Sequence, residues 1–146
     1  QVAWLHDGLV ERSRNHWWPT VVRHMQGRPW PKPPVEGNAH IVPIDSPEML
    51  VEEGYRMHHC VPSYAAVIYT GHCYLYRVLA PQRATLYITR VNGPLLHGHR
   101  GWNIGELRLV CNGEPSAETR QAVLEWLRTA RHLSPHIPPH IPREDA

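Results

Sequence analysis

The apolar residues change their spacing along the chain, and the changes divide it into elements. Leu5, Leu9 and Val10 lie close to one helical face, and Trp17, Val21, Val22 and Met25 continue an apolar stripe. Pro19 interrupts that stripe, so a kink or a fresh helix start is expected there. Trp17 and Trp18 read as core-packing residues. The pattern then stops. Residues 27–38 run Gly-Arg-Pro-Trp-Pro-Lys-Pro-Pro-Val-Glu-Gly-Asn, and proline blocks helix and central strand alike. This predicts an extended connector laid across the domain and pinned by Trp30. Residues 40–44 form a short strand in which Pro43 suits an edge.

Helical signals return at Ser46, which suits an N-cap, with Pro47 at the first helical position and Glu48 against the positive end of the dipole. A short helix is expected from 47 to about 53, stopped by Gly54. Residues 57–60 read as a turn or a further helical turn. A helix over 62–70 follows, with Tyr64, Ala65 and Ile68 on one face and Gly71 ending it. Period-2 alternation over 73–80 is largely apolar on both faces, as in a central strand. Residues 85–91 are β-branched and aromatic. Asn92-Gly93 is the best hairpin signal, leading to Leu95-Leu96-His97, a Gly-rich bend and a strand over 104–110. Ser116 caps a last helix whose buried stripe is Ala117, Val123, Leu124, Leu127 and Ala130, with Arg128 and Arg131 at its C-terminal end.

The expected architecture is α+β: a small antiparallel β-sheet of three to four strands packed with N-terminal, central and C-terminal helices. Residues 1–133 form one domain with the 27–38 connector inside it, and 134–146 form a loose Pro/His-rich tail that repeats Pro-His-Ile-Pro. With 146 residues, one core is the natural expectation. The chain begins at Gln1, so it is expected to be a piece of a longer protein.

Charge narrows the chemistry only a little. A formal charge of +2 does not by itself imply nucleic acid, yet every cationic residue except Lys32 is arginine, which contacts phosphate in a planar fork and stacks on rings. Cys60, Cys73 and Cys111 show no CxxC pairing, which argues against a disulfide framework and for a reduced cytoplasm. No apolar run reaches the length of a membrane span, so no membrane partner is expected.

Reactive residues crowd into one stretch, Glu53 to Tyr64, which holds Glu53, His58, His59, Cys60 and Tyr64. Pro62 suits the start of a helix, which places Cys60 near a positive dipole end that favours a thiolate. The plain reading is that Cys60 is a small buried hydrophobe, packed among Met57, Ile68 and Leu86. As a metal site, His58, His59, Cys60, His72, Cys73, His97, His99 and Cys111 are all ligand types, but no pair has the spacing of a known zinc module, so no cofactor is expected. As a thiol enzyme, Cys60 attacks, His59, His72 or His97 is the base, Asn112 or Glu106 orients it, and His58, Glu53 and Tyr64 stand nearby. As a nucleic-acid module, Arg56, Arg77, Arg90, Arg100 and Arg108 lie on or beside the sheet, with Tyr74, Tyr76, Tyr87 and Trp102 as stacking faces. Against this, six Trp and six Tyr must fill the core where Phe is absent. His136 and His140 in the tail read as solvated.

The order Gly54, Met57, Cys60-Val61 and Tyr64, then Gly71, the strands at 74–78 and 85–88, Asn112 and a final helix with Trp126, resembles the PcfJ-like family over about residues 40–130. Members usually show a Gln and then a Gly before the Asn; here Glu106 and Leu109 hold those places, so no role of that glutamine is carried over. PcfJ-like proteins are associated with conjugative plasmids and phages and are thought to act beside the relaxase in DNA processing. The resemblance therefore implies a cytoplasmic accessory module that binds nucleic acid or a DNA-processing protein. The competing expectation is an enzyme using Cys60 as nucleophile or metal ligand. Oligomeric state is not legible.

Overall fold

The computed structural model describes residues 16–58, 61–91 and 101–133. At its centre is a four-stranded antiparallel sheet in sequential order: β1 (Ile41–Pro43), β2 (Cys73–Val78), β3 (Ala84–Arg90) and β4 (Trp102–Arg108). Around it lie α1 (residues 16–25), α2 (Pro47–Met57), a 3-10 turn (Val61–Tyr64) running into α3 (Ala65–Ile68), and α4 (Ala117–Thr129). The fold is α+β. The Leu5, Leu9 and Val10 stripe, the Asn92-Gly93 hairpin, the 95–97 strand and the tail from 134 lie outside the described residues.

Register assigns the sheet's two faces. Tyr74, Tyr76 and Val78 pair with Ile88, Leu86 and Ala84 and share one face. There Trp126 of α4 meets the Tyr76 ring edge-on at 4.8 Å. Cys73, Leu75 and Arg77 pair with Thr89, Tyr87 and Thr85 on the other face. That face receives Glu53 of α2 on Thr85 and Tyr64 on Tyr87, with ring centroids 5.2 Å apart. Helices thus cover both faces, which is why the central strand β2 is apolar on each side.

Each boundary has a local cause. Ser46 Oγ accepts from the Met49 N–H, and Ser116 Oγ accepts from the Thr119 N–H, so both predicted N-caps are made. Pro43 sits on edge strand β1, where its missing N–H costs no ladder bond. Gly71, at φ +76°, takes the left-handed turn between α3 and β2. Pro19 lies within α1, which is helical throughout 16–25.

Some boundaries differ from the pattern. Gly54 does not stop α2: it is buried mid-helix, and the helix ends at Met57 with His58 as a left-handed cap whose N–H reaches the Gly54 and Tyr55 carbonyls. The 62–70 segment is a 3-10 turn plus a four-residue helix. The last strand runs from Trp102 to Arg108 instead of 104–110, because Trp102 pairs with Arg90, while residues 110–113 close a turn with Cys111 and Asn112 at positive φ. The buried stripe of α4 is Thr119, Val123, Trp126 and Leu127, and Ala117 is exposed. The register also shifts at Tyr87/Ile88, where Gly105 sits against the Tyr87 ring; a Cβ there would meet Tyr87 Cδ1 at 2.6 Å.

The proline-rich connector is held by donors that reach its carbonyls. Tyr74 Oη donates to Pro31 O at 2.7 Å, Tyr76 Oη to Val35 O at 2.7 Å, and Trp126 Nε1 to Glu36 O at 3.0 Å. Trp30 Nε1 donates to Ile44 O, so the connector also reaches back to the end of β1. Backbone bonds from Glu36 to Arg131 and from Leu133 to Pro34 tie it to the chain after α4. Tyr74 and Tyr76 are therefore core residues with satisfied hydroxyls, not stacking faces. Burial pushes both hydroxyls well above the usual phenol range.

Candidate functional site

The stretch singled out by sequence begins in a buried clamp. Glu53, fully buried in α2, accepts from both terminal nitrogens of Arg83 at 2.9 and 2.5 Å and from Thr85 Oγ1 at 2.7 Å. Arg83 also donates to Ala84 O. Its side chain is about one-third exposed, so the pair has a dry end and a wet end. Beyond it opens a cleft of about 540 Å³ lined by Tyr55, Arg56, Met57, His58, Gln82, Arg83, Leu109 and Val110. The end of α2 thus meets the turn after β4, more than fifty residues later. His58, Cys111 and Asn112 all hold positive φ in these two segments. The two arginines of the cleft are neutralised, Arg56 by Glu52 at 2.8 Å and Arg83 by Glu53.

The residues expected to carry thiol chemistry are dispersed. Cys60 and His59 lie outside the described residues, as do His97 and His99. His58 is exposed on the cleft wall, and Asn112 is exposed in the turn after β4. Tyr64 and Glu106 converge elsewhere, around Tyr87. Burial first, then the Cys73 thiol, Tyr64 and Glu106, push the Tyr87 hydroxyl far upward. Burial raises the Cys73 thiol, partly offset by its hydrogen bond with Tyr87. Among the described residues, no three His, Cys, Asp or Glu side chains are grouped to hold a metal ion, and no helix is long and apolar enough to cross a membrane.

Iodoacetamide labelling of the native protein at neutral pH, mapped by mass spectrometry, separates the thiols. Exposed Cys111 is expected to label at the rate of a free thiol, and buried Cys73 to label only on unfolding. Equal rates would contradict the fold around β2. Cys60, read in the same experiment, labels faster than a free thiol only if it is an activated nucleophile.

The arginines divide by partner. Arg56, Arg83, Arg108 and Arg128 each pair with a carboxylate, from Glu52, Glu53, Glu114 and Glu125 respectively. Arg77 lies on β2, and its Nε is buried without a hydrogen-bond partner among the described residues. Arg23, Arg90, Arg120 and Arg131 are exposed with no carboxylate partner among the described residues, and Arg90 differs from the other three in lying over the Trp102 ring at 5.1 Å and donating Nε–H to Gly71 O at 3.0 Å. Trp102 is buried beneath it, at 6% exposure, so the face on offer is the guanidinium, not the indole. Arg100 lies outside the described residues.

Sequence reasoning missed the counterpart of Arg90. Arg28, also exposed, lies over the Tyr69 ring at 4.1 Å and donates to the His24 and Met25 carbonyls that end α1. Tyr69 Oη in turn bonds the Arg28 and Pro29 carbonyls, and Trp30 meets the Tyr69 ring edge-on. Burial raises the Tyr69 hydroxyl, and the Arg28 charge opposes that rise. Tyr69 and Gly71 belong to the same turn, so both ring-seated guanidiniums flank residues 69–72. The sequence signal was slight: an arginine just after the Gly27 that follows α1 suits a helix C-terminus, but nothing local points to a ring 41 residues away.

Comparison with known proteins adds one result. No curated protein and no solved structure matches the chain. The family described as PcfJ-like protein matches residues 5–124, which takes in α1 through the first part of α4, both walls of the cleft and both ring-seated arginines. The chain belongs to the PcfJ-like protein family.

Proposed function

We propose that this domain is an accessory module of a plasmid or phage protein that binds nucleic acid in the cytoplasm, alongside DNA-processing machinery. The observation that carries this reading is the partition of arginines. Four are neutralised by glutamates; of the exposed arginines without a carboxylate among the described residues, Arg28 and Arg90 lie over aromatic rings, which sets them apart from Arg23, Arg120 and Arg131. A guanidinium seated this way keeps its charge and part of its donor fork free for phosphate, and little side-chain entropy is lost on binding. Arg90 and Trp102, expected as contacts from sequence, thus take part together, with Arg28 and Tyr69 added.

Binding through phosphates releases counterions, so affinity must fall steeply with salt. A gel-shift series with labelled oligonucleotides over rising salt is expected to show a complex that disappears. Absence of any salt-sensitive complex would remove the nucleic-acid reading and leave a protein partner as the module's target.

A further inference from the structure

Resting on the nucleic-acid reading, we infer that the ligand of the Arg28–Arg90 surface is single-stranded, with unpaired bases stacking on the outer faces of the two guanidiniums. Each cation lies over a ring, with Cζ 4.1 Å from the Tyr69 centroid in one case and 5.1 Å from the Trp102 centroid in the other. Each is also pinned edgewise by backbone carbonyls: His24 and Met25 hold Arg28, and Gly71 holds Arg90. A guanidinium fixed in this way has lost the freedom to wrap a phosphate from any direction. What it retains is a flat outer face and its remaining N–H donors. Such a plane stacks with a base as an aromatic ring does, but only when the base is not already stacked inside a duplex.

The surroundings agree. The turn between the two arginines exposes Thr70, Gly71 and His72, small or polar groups, and both arginines are themselves exposed. The aromatic rings themselves are not the platforms. Trp102 is buried, and one face of Tyr69 is covered by Arg28. The aromatic residues therefore act as supports that orient the cations. Lysine, a point charge on a flexible stem, would carry the same charge at these positions without the plane.

The test compares a fluorescein-labelled single strand with its duplex of the same sequence, on the wild type and on the Arg28→Lys/Arg90→Lys double variant, by anisotropy at fixed salt. The wild type is expected to bind the single strand at least 10-fold more tightly than the duplex. The double lysine variant is expected to lose about 10-fold or more on the single strand while keeping the wild-type salt slope. An abasic strand of equal length should bind the wild type as weakly as the labelled strand binds the variant. Equal affinity for duplex and single strand, or a lysine variant that binds like the wild type, overturns the stacking inference and leaves the nucleic-acid reading standing. Failure of every strand to bind removes both.

Discussion

Replacing Trp126 with alanine is expected to cost about 4 kcal/mol, the range for emptying a buried indole site. Trp126 is 5% exposed, meets the Tyr76 ring at 4.8 Å, and donates to the Glu36 carbonyl across 90 residues of sequence. Its loss opens a cavity between α4 and β2 and frees the connector from one of its holders. Urea unfolding at constant slope should show the drop, and hydrogen exchange should speed up at the Glu36 and Leu133 amides, which bond the chain after α4 and the connector. Trp126→Phe keeps most of the packing and loses the Nε1 donor, so a fall of about 1 kcal/mol is expected. An alanine variant within about 1 kcal/mol of wild type would mean that α4 does not close this face of the sheet.

Replacing Arg83 with alanine is expected to cost about 3 kcal/mol, and more than replacing Glu53 with glutamine. The asymmetry follows from burial. Glu53 is fully buried and Arg83 about one-third exposed. Without Arg83, the carboxylate stays in the core with Thr85 as its remaining partner, an uncompensated charge of the kind that destabilises strongly. In Glu53→Gln the charge is gone, Arg83 turns to water, and the new amide oxygen can still accept from Thr85, so about 1–2 kcal/mol is expected. Thermal or urea melts of the two variants, with the double variant closing a cycle, measure the order and the coupling. The reverse order would contradict a buried carboxylate here.

These two sites illustrate how much the chain reveals before it is folded. Local chemistry was legible: Ser46 and Ser116 cap their helices, Gly71 takes a positive φ, and Pro43 marks an edge, because each depends on atoms a few residues apart. Gly54 misled for the same reason. Propensity makes glycine a stop, but α2 continues because its face carrying Leu50, Val51, Glu53 and Met57 is buried, and the backbone N–H of His58 supplies the cap. The α4 stripe turned toward Thr119 because the Gln82 amide oxygen, from the loop before β3, accepts from Thr119 Oγ1 and the Ser116 N–H. Contacts between distant segments were silent. Glu53 meets Arg83 and Thr85 across about thirty residues, and no periodicity announces such a pair.

The candidate interface was legible by halves. Arg90 and Trp102 are each legible as contacts, but their pairing on neighbouring strands is not, because the pattern puts Trp102 in the bend before a strand at 104–110. Arg28 and Tyr69 come from the end of α1 and the end of α3, and only the folded chain brings them together. The absence of Phe pointed correctly to Tyr74 and Tyr76 as core residues, and their hydroxyls found a second use in holding a connector whose prolines lack N–H groups.

The most direct test of the central claim is the salt dependence of oligonucleotide binding by the wild type and by the Arg28→Ala/Arg90→Ala double variant, both checked for an unchanged melting temperature. If these two cations are the phosphate contacts, the slope of log K against log salt becomes shallower by about 1.4 for a single strand, and affinity falls with it. A double variant with the wild-type slope and affinity would contradict the assignment of nucleic-acid binding to this surface.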